Sequence, residues 1–123
     1  MNSFNLDYFK KKLQINQYAE IRIISDSMYP LILNGEILKV IQLPKKLKRF
    51  DIIVFDYHGE PYCHFFWSKI ANNDSLCTRS LKTPQKIDLP IKNLNLVGIV
   101  TNKKITSWQK FRVYFLILWH CSL

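Results

Sequence analysis

Acidic residues are scarce in this 123-residue sequence: 9 Asp and Glu stand against 18 Lys and Arg, a formal net charge of +9. Such an excess speaks to partners and not to fold. It favours phosphate-bearing surfaces, those of nucleic acid or of anionic lipid. Glycine is scarcer still, at 3, which excludes collagen-like and Gly-rich low-complexity chains. The 3 cysteines (Cys63, Cys77, Cys121) form no CxxC pair, and His58, His64 and His120 fall outside zinc-finger spacing. No structural metal and no cofactor is expected. At most one disulfide could form, so a reducing, cytoplasmic compartment is the simpler expectation. The opening MNSFNLDYFKKKLQ lacks the apolar stretch of a secretory signal. The longest apolar run, Val113 to Trp119, falls far short of the roughly 20 residues of a membrane-spanning helix.

What is present suffices for one domain. The apolar share is 48% and the aromatic share 14%, enough to bury a core at a length that suits a single unit. Leu6 to Leu13 places Leu6, Tyr8, Phe9 and Leu13 around Lys10, Lys11 and Lys12, which predicts a short amphipathic helix with a basic face. Short β-rich runs follow: Glu20–Ile24, Glu36–Ile41, Asp51–Tyr57, the stretches opening at Pro61 and Ser75, and Leu96 to Thr101. Turn residues at Asn34-Gly35, Pro44, His58-Gly59, Asn72-Asn73-Asp74 and Pro84 separate them. Trp108, Phe111, Phe115 and Leu118 then recur at helical spacing. The expected architecture is mainly β, a single coiled or barrel-like antiparallel sheet with a short N-terminal and a C-terminal helix. The division is a basic segment 1–19, a β domain 20–106 and an apolar, aromatic helix 107–123. That helix reads either as packing on the sheet or as an interfacial segment beside lipid headgroups.

The chemistry-bearing stretch is Ser25-Asp26-Ser27-Met28-Tyr29-Pro30-Leu31. A Ser at a sharp bend after a strand can present its hydroxyl and its own N–H together, as a nucleophile and an oxyanion donor. The hydroxyl needs a base within hydrogen-bond reach. This box, then Gly35-Glu36 at a turn, then Phe50-Asp51-Ile52-Ile53-Val54-Phe55, then the strand from Pro61 and the closing Leu96-Val97-Gly98-Ile99-Val100 resemble the type I signal peptidase family, in the same order and over about residues 20 to 101. The implied fold is the signal peptidase/LexA-like sheet, here without a transmembrane anchor. The implied activity is that of a serine peptidase.

The resemblance assigns the base. Bacterial members mostly use Lys, whereas another branch uses His, and the matching position here is His64 in Cys63-His64-Phe65-Phe66. A free imidazole, with a pKa of about 6.5, accepts a serine proton at neutral pH without tuning, which an ammonium does not. Lys69 lies five residues on, and strand alternation puts it on the opposite face. Cys63 adjoins His64 and by the same alternation cannot pair with it. The resemblance further implies Asp88 as the carboxylate that orients His64, although the family's Gly-Asp is replaced by Ser80-Leu81. It also implies Ser25 as a hydroxyl partner to the Ser27 N–H in an oxyanion hole. Asp26 stands where the family has Gly, so its carboxylate must point away from that hole.

The implied substrate is a leader or signal-like peptide with small residues at the scissile bond, taken in extended form against Met28, Tyr29 and Tyr62. An anionic membrane surface is the second expected partner. The competing expectation is a catalytically inactive or non-catalytic basic β module that binds nucleic acid or anionic membrane. Nucleic acid is the disfavoured partner, because the aromatic residues do not interleave with Lys and Arg in a recognition motif. A self-cleaving LexA-like regulator is also disfavoured, since no Ala-Gly or Cys-Gly cleavage pair is present.

Overall fold

The computed structural model describes residues 5–70 and 74–121. Helix α1 (Leu6–Asn16) starts where the Asn5 side chain accepts from the Tyr8 N–H at 2.9 Å, and it stops at Gln17, a left-handed C-cap bonded to the Leu13 carbonyl. Seven strands follow: β1 (Tyr18–Arg22), β2 (Ile37–Ile41), β3 (Ile52–Tyr57), β4 (Glu60–Lys69), β5 (Ser75–Arg79), β6 (Ile91–Lys92) and β7 (Leu96–Val100). Helix α2 (Ser107–Cys121) is the last described element. The strands make one antiparallel sheet in the order β1-β2-β7-β3-β4-β5-β6. Its ends, β1 and β6, do not pair with each other, so the sheet is open and not a closed barrel. The mainly β expectation, with a helix at either end, is borne out.

Alternation of side chains across the pleat builds two cores. In β1 and β2 the inward residues Ala19, Ile21, Leu38 and Val40 lie opposite one another. They join Ile52, Val54, Cys63, Phe65, Val97 and Val113 in one cluster, which α1 reaches through Leu13 and α2 through Val113. The other face of the central strand β3 sends Ile53 and Phe55 into a second cluster with Phe66, Leu76 and Leu96. Strand β3 is therefore buried on both sides, which suits its unbroken run IIVF. The basic run Lys45 to Arg49 is a largely exposed loop whose Arg49 guanidinium stacks 4.0 Å from the Trp67 ring centre.

Three details position the site. The β1–β2 ladder continues past Arg22 through Ile23 N–H to the Glu36 carbonyl (3.0 Å) and Gly35 N–H to the Ile23 carbonyl (2.7 Å), so residues 24–34 are an excursion from a hairpin. Gly35 closes that excursion with φ at +88°, a conformation that suits a residue without Cβ. Strand β5 ends at Arg79, opposite Phe65, whereas β4 runs two residues and more beyond that pairing toward Cys63 and Pro61. Finally, a β-bulge interrupts β4 between Phe66 and Ser68. It moves Lys69 opposite Leu76, onto the face that carries Thr78 and His64. Simple alternation placed Lys69 on the other face, and the extra residue is why that expectation fails. Lys69 is still roughly 15 Å along the strand from His64.

Candidate active site

The candidate base, His64, lies on β4, and Asp88 on the segment that leads into β6. His64 Nδ1 lies 2.7 Å from Asp88 Oδ2, both side chains only partly exposed. Thr78, fully buried on β5, donates its Oγ1–H to the same Oδ2 at 3.2 Å and stands 3.4 Å from Nδ1. The Asp88 N–H reaches the Thr78 carbonyl at 3.4 Å, so Asp88 is tied to β5 by backbone and side chain alike. An ionised carboxylate accepts only, so the Nδ1 of a neutral His64 carries the proton and Nε2 is left as the acceptor. The Phe55 ring meets the imidazole edge-on, with centres 5.3 Å apart.

The candidate nucleophile, Ser27, lies on the excursion 24–34. Met28 and Ile32 sink into the core on either side of a tight turn, in which the Tyr29 N–H bonds to the Asp26 carbonyl and the Ile32 N–H to the Met28 carbonyl, both at 3.0 Å. Met28 is 1% exposed. It therefore anchors the turn and does not line a peptide surface, which corrects the contact role expected of it. Tyr29 is exposed on the same turn. Segment 81–82 fixes the loop from outside: the Lys82 N–H donates to the Ser27 carbonyl at 2.9 Å and Lys82 Nζ pairs with Asp26 Oδ2 at 2.8 Å. The ammonium hydrogen bond holds the Asp26 carboxyl below the usual carboxylate range. The Asp26 carboxylate is thereby held by Lys82.

Ser27 Oγ donates to the Cys63 carbonyl at 3.3 Å and accepts from Ser25 Oγ at 3.1 Å, while the Ser27 N–H donates to Ser25 Oγ at 3.2 Å. The direct Ser27–His64 hydrogen bond expected from the sequence is not formed. The hydroxyl instead occupies the carbonyl of the residue next to His64. The register explains why. Phe66 exchanges its N–H and C=O with the Asp51–Phe50 side of the sheet, so the backbones of Phe65 and Cys63 face the β5 side. There β5 has already ended, and Ser27 takes the vacant acceptor. The Cys63 side chain lies in the core, where burial pushes its thiol up to about 12, far from a nucleophilic thiolate.

A cleft of about 670 Å³ opens beside the His64–Asp88 pair, walled by Phe55, Tyr57, Tyr62, Leu89, Pro90 and Ile91. Tyr62, expected at the peptide surface, is thus brought to His64, whereas Ser27 and Tyr29 do not line this cleft. Sequence reasoning missed Thr78 and Lys82. Thr78 is one more inward β-branched residue of a strand, and Lys82 one of 18 cations, so nothing local marks either. Among the described residues no cluster of His, Cys, Asp and Glu could hold a metal ion, and no helix is long and apolar enough to cross a membrane. No protein-family model, curated protein or solved structure matches this chain.

Proposed function

We propose that this chain is a serine endopeptidase of the signal peptidase-like kind, with Ser27 as nucleophile, His64 as base and Asp88 as the carboxylate that orients it, and that it cleaves a leader or signal-like peptide. The observation that supports this reading best is the 2.7 Å His64–Asp88 pair beside a serine hydroxyl bonded to the carbonyl adjoining that histidine. A peptide laid in extended form along β4, past the end of β5, replaces Ser27 at the Cys63 carbonyl. The freed Oγ attacks the scissile carbonyl carbon as its proton passes to His64 Nε2. The oxyanion settles between the Ser27 N–H and the Ser25 hydroxyl, two donors 3.2 Å apart at their heavy atoms. The imidazolium, held by Asp88, then protonates the leaving amine, and water enters by the reverse route. The expected location is cytoplasmic, at the periphery of a membrane.

The second reading is a descendant that has lost catalysis. It draws on the same Ser27–Cys63 bond, taken as a resting contact that nothing displaces. Active-site labelling separates the two. A fluorophosphonate probe should label the wild-type protein covalently and fail to label Ser27→Ala at the same fold stability. Absence of labelling in the folded wild type, or equal labelling of both proteins, would overturn the peptidase reading.

A further inference from the structure

Helix α2 touches the domain along only one side. Val113 is fully buried and Ile117 partly packed against the core, whereas Trp108, Phe111, Phe115, Leu118 and Trp119 are each between 52% and 73% exposed. At 100° per residue these five side chains fall in one stripe directly opposite Val113. Their rings stack in sequence along the helix: Trp108–Phe111 at 5.6 Å, Phe111–Phe115 at 6.4 Å and Phe115–Trp119 at 6.1 Å between centres. Isolated exposed aromatics need no explanation, but a continuous stripe of four rings and a leucine does.

Charge selects what covers it. From Thr101 to Cys121 the chain carries Lys103, Lys104, Lys110 and Arg112 and not one Asp or Glu, and of these Lys103 is paired with Glu36 at 2.7 Å. Arg112 Nη1 bonds to the Leu81 carbonyl at 3.0 Å and Lys110 Nζ lies 5.4 Å from the Phe50 ring centre. Both cations therefore flank the stripe on the side where α2 meets the domain and leave the stripe itself uninterrupted. A second copy packed stripe to stripe would bring two such cationic helices together with no carboxylate between them. An anionic lipid surface meets both features at once, taking the rings among its headgroups and attracting the net positive charge of the segment that carries them.

We propose that α2 is an interfacial helix that docks this protein on anionic phospholipid bilayers through the Trp108–Trp119 stripe. The helix is joined to the candidate site by two hydrogen bonds in series, Arg112 to the Leu81 carbonyl and the Lys82 N–H to the Ser27 carbonyl, both on the domain side of α2 and away from the stripe. Docking does not depend on the peptidase reading, and it is tested on the Ser27→Ala protein as well as on wild type. In sedimentation with vesicles of phosphatidylcholine containing about 30% phosphatidylglycerol, both proteins should partition to the pellet, less so as salt rises. The variant Phe111→Ser/Phe115→Ser/Trp119→Ser, at solvent-facing positions, should lose at least about tenfold in partitioning. Lys104→Glu/Lys110→Glu should weaken binding to these vesicles at low salt. Equal binding to pure phosphatidylcholine, or an unchanged triple variant, would overturn the proposal. So would a concentration-dependent dimer that the triple variant abolishes in a protein that ignores vesicles.

Discussion

Replacing Asp88 by Asn keeps the shape of the side chain and removes its charge, and the geometry sets the size of the loss. The 2.7 Å contact to His64 Nδ1 is the length of a charge-assisted hydrogen bond, and such a bond contributes about 1.5–3 kcal/mol. If all of it is realised as the imidazolium forms, the rate falls about 10- to 150-fold at 1.36 kcal/mol per decade. The tautomer adds more. An Asn amide N–H pointed at Nδ1 draws the proton to Nε2 and abolishes the base, a change that reaches about 10⁴-fold in a triad of this logic. On the proposed function, Asp88→Asn is therefore expected to lower the second-order rate of fluorophosphonate labelling by between about 10² and 10⁴. Thr78 tests the same chain one link further back. Thr78→Val deletes the 3.2 Å hydrogen bond to Oδ2 and should cost about fivefold, the equivalent of about 1 kcal/mol. Thr78→Ser, which keeps the hydroxyl, should restore the rate. Labelling of a folded Asp88→Asn protein at the wild-type rate would refute the orienting role, and equal rates for Thr78→Val and Thr78→Ser would refute the relay through the threonine.

Two further expectations concern the scaffold. A Cβ added at Gly98 would collide with the Ile41 carbonyl oxygen and approach Val40 Cγ1 to 2.6 Å, so Gly98→Ala should destabilise the sheet by about 1–3 kcal/mol in urea unfolding, and an unchanged midpoint would show that β2 and β7 tolerate spreading. The Lys103 hydrogen bond, aided by the Leu33 N–H, holds the Glu36 carboxyl below its ordinary value. A depressed carboxylate stabilises the fold above its unfolded value and loses that contribution as pH falls through the folded one. Lys103→Ala should thus lower stability by up to about 1 kcal/mol at pH 7, and the difference from wild type should shrink in acid. A gap that grows in acid would contradict this sign.

Legibility followed the range of the interaction. Both helices were readable because three- and four-residue spacing marks a face, and β2, β3, β5 and β7 lie within a residue or two of the runs that predicted them. Strand β6 was not readable: two residues show no period, and they are placed by pairing with Ser75 and Leu76, by the Asn93 N–H on the Asp74 carbonyl and by Ile91 packing on the second core. Asp26 could be seen as a hazard to an oxyanion, but its remedy, Lys82, lies 56 residues away. Met28 fits an apolar pocket and a core peg equally well on residue type, and only the way the turn docks separates the two. The bulge that moves Lys69 leaves no mark in PYCHFFWSKI, because it arises from how β4 meets β5.

The two halves of the candidate site differ in how firmly they are built, and the difference bears on how such a site would work. His64, Asp88 and Thr78 sit on paired strands, or one segment removed from them, and are joined by a 2.7 Å contact with a second donor on the same oxygen. Ser27 is held at its backbone by Lys82, but its hydroxyl and N–H make contacts of 3.1 to 3.3 Å. Bonds of that length are the weaker ones to exchange. Each of them stands where a peptide would put its own group: the Cys63 carbonyl would take the N–H of an added strand, and the Ser27 N–H would take the scissile oxygen. On the proposed function, a bound peptide therefore displaces the contacts that keep the nucleophile at rest, while the base needs no rebuilding. On that proposal the Ser27–Cys63 contact belongs to the free protein, and a bound peptide would have to bring Ser27 and His64 together.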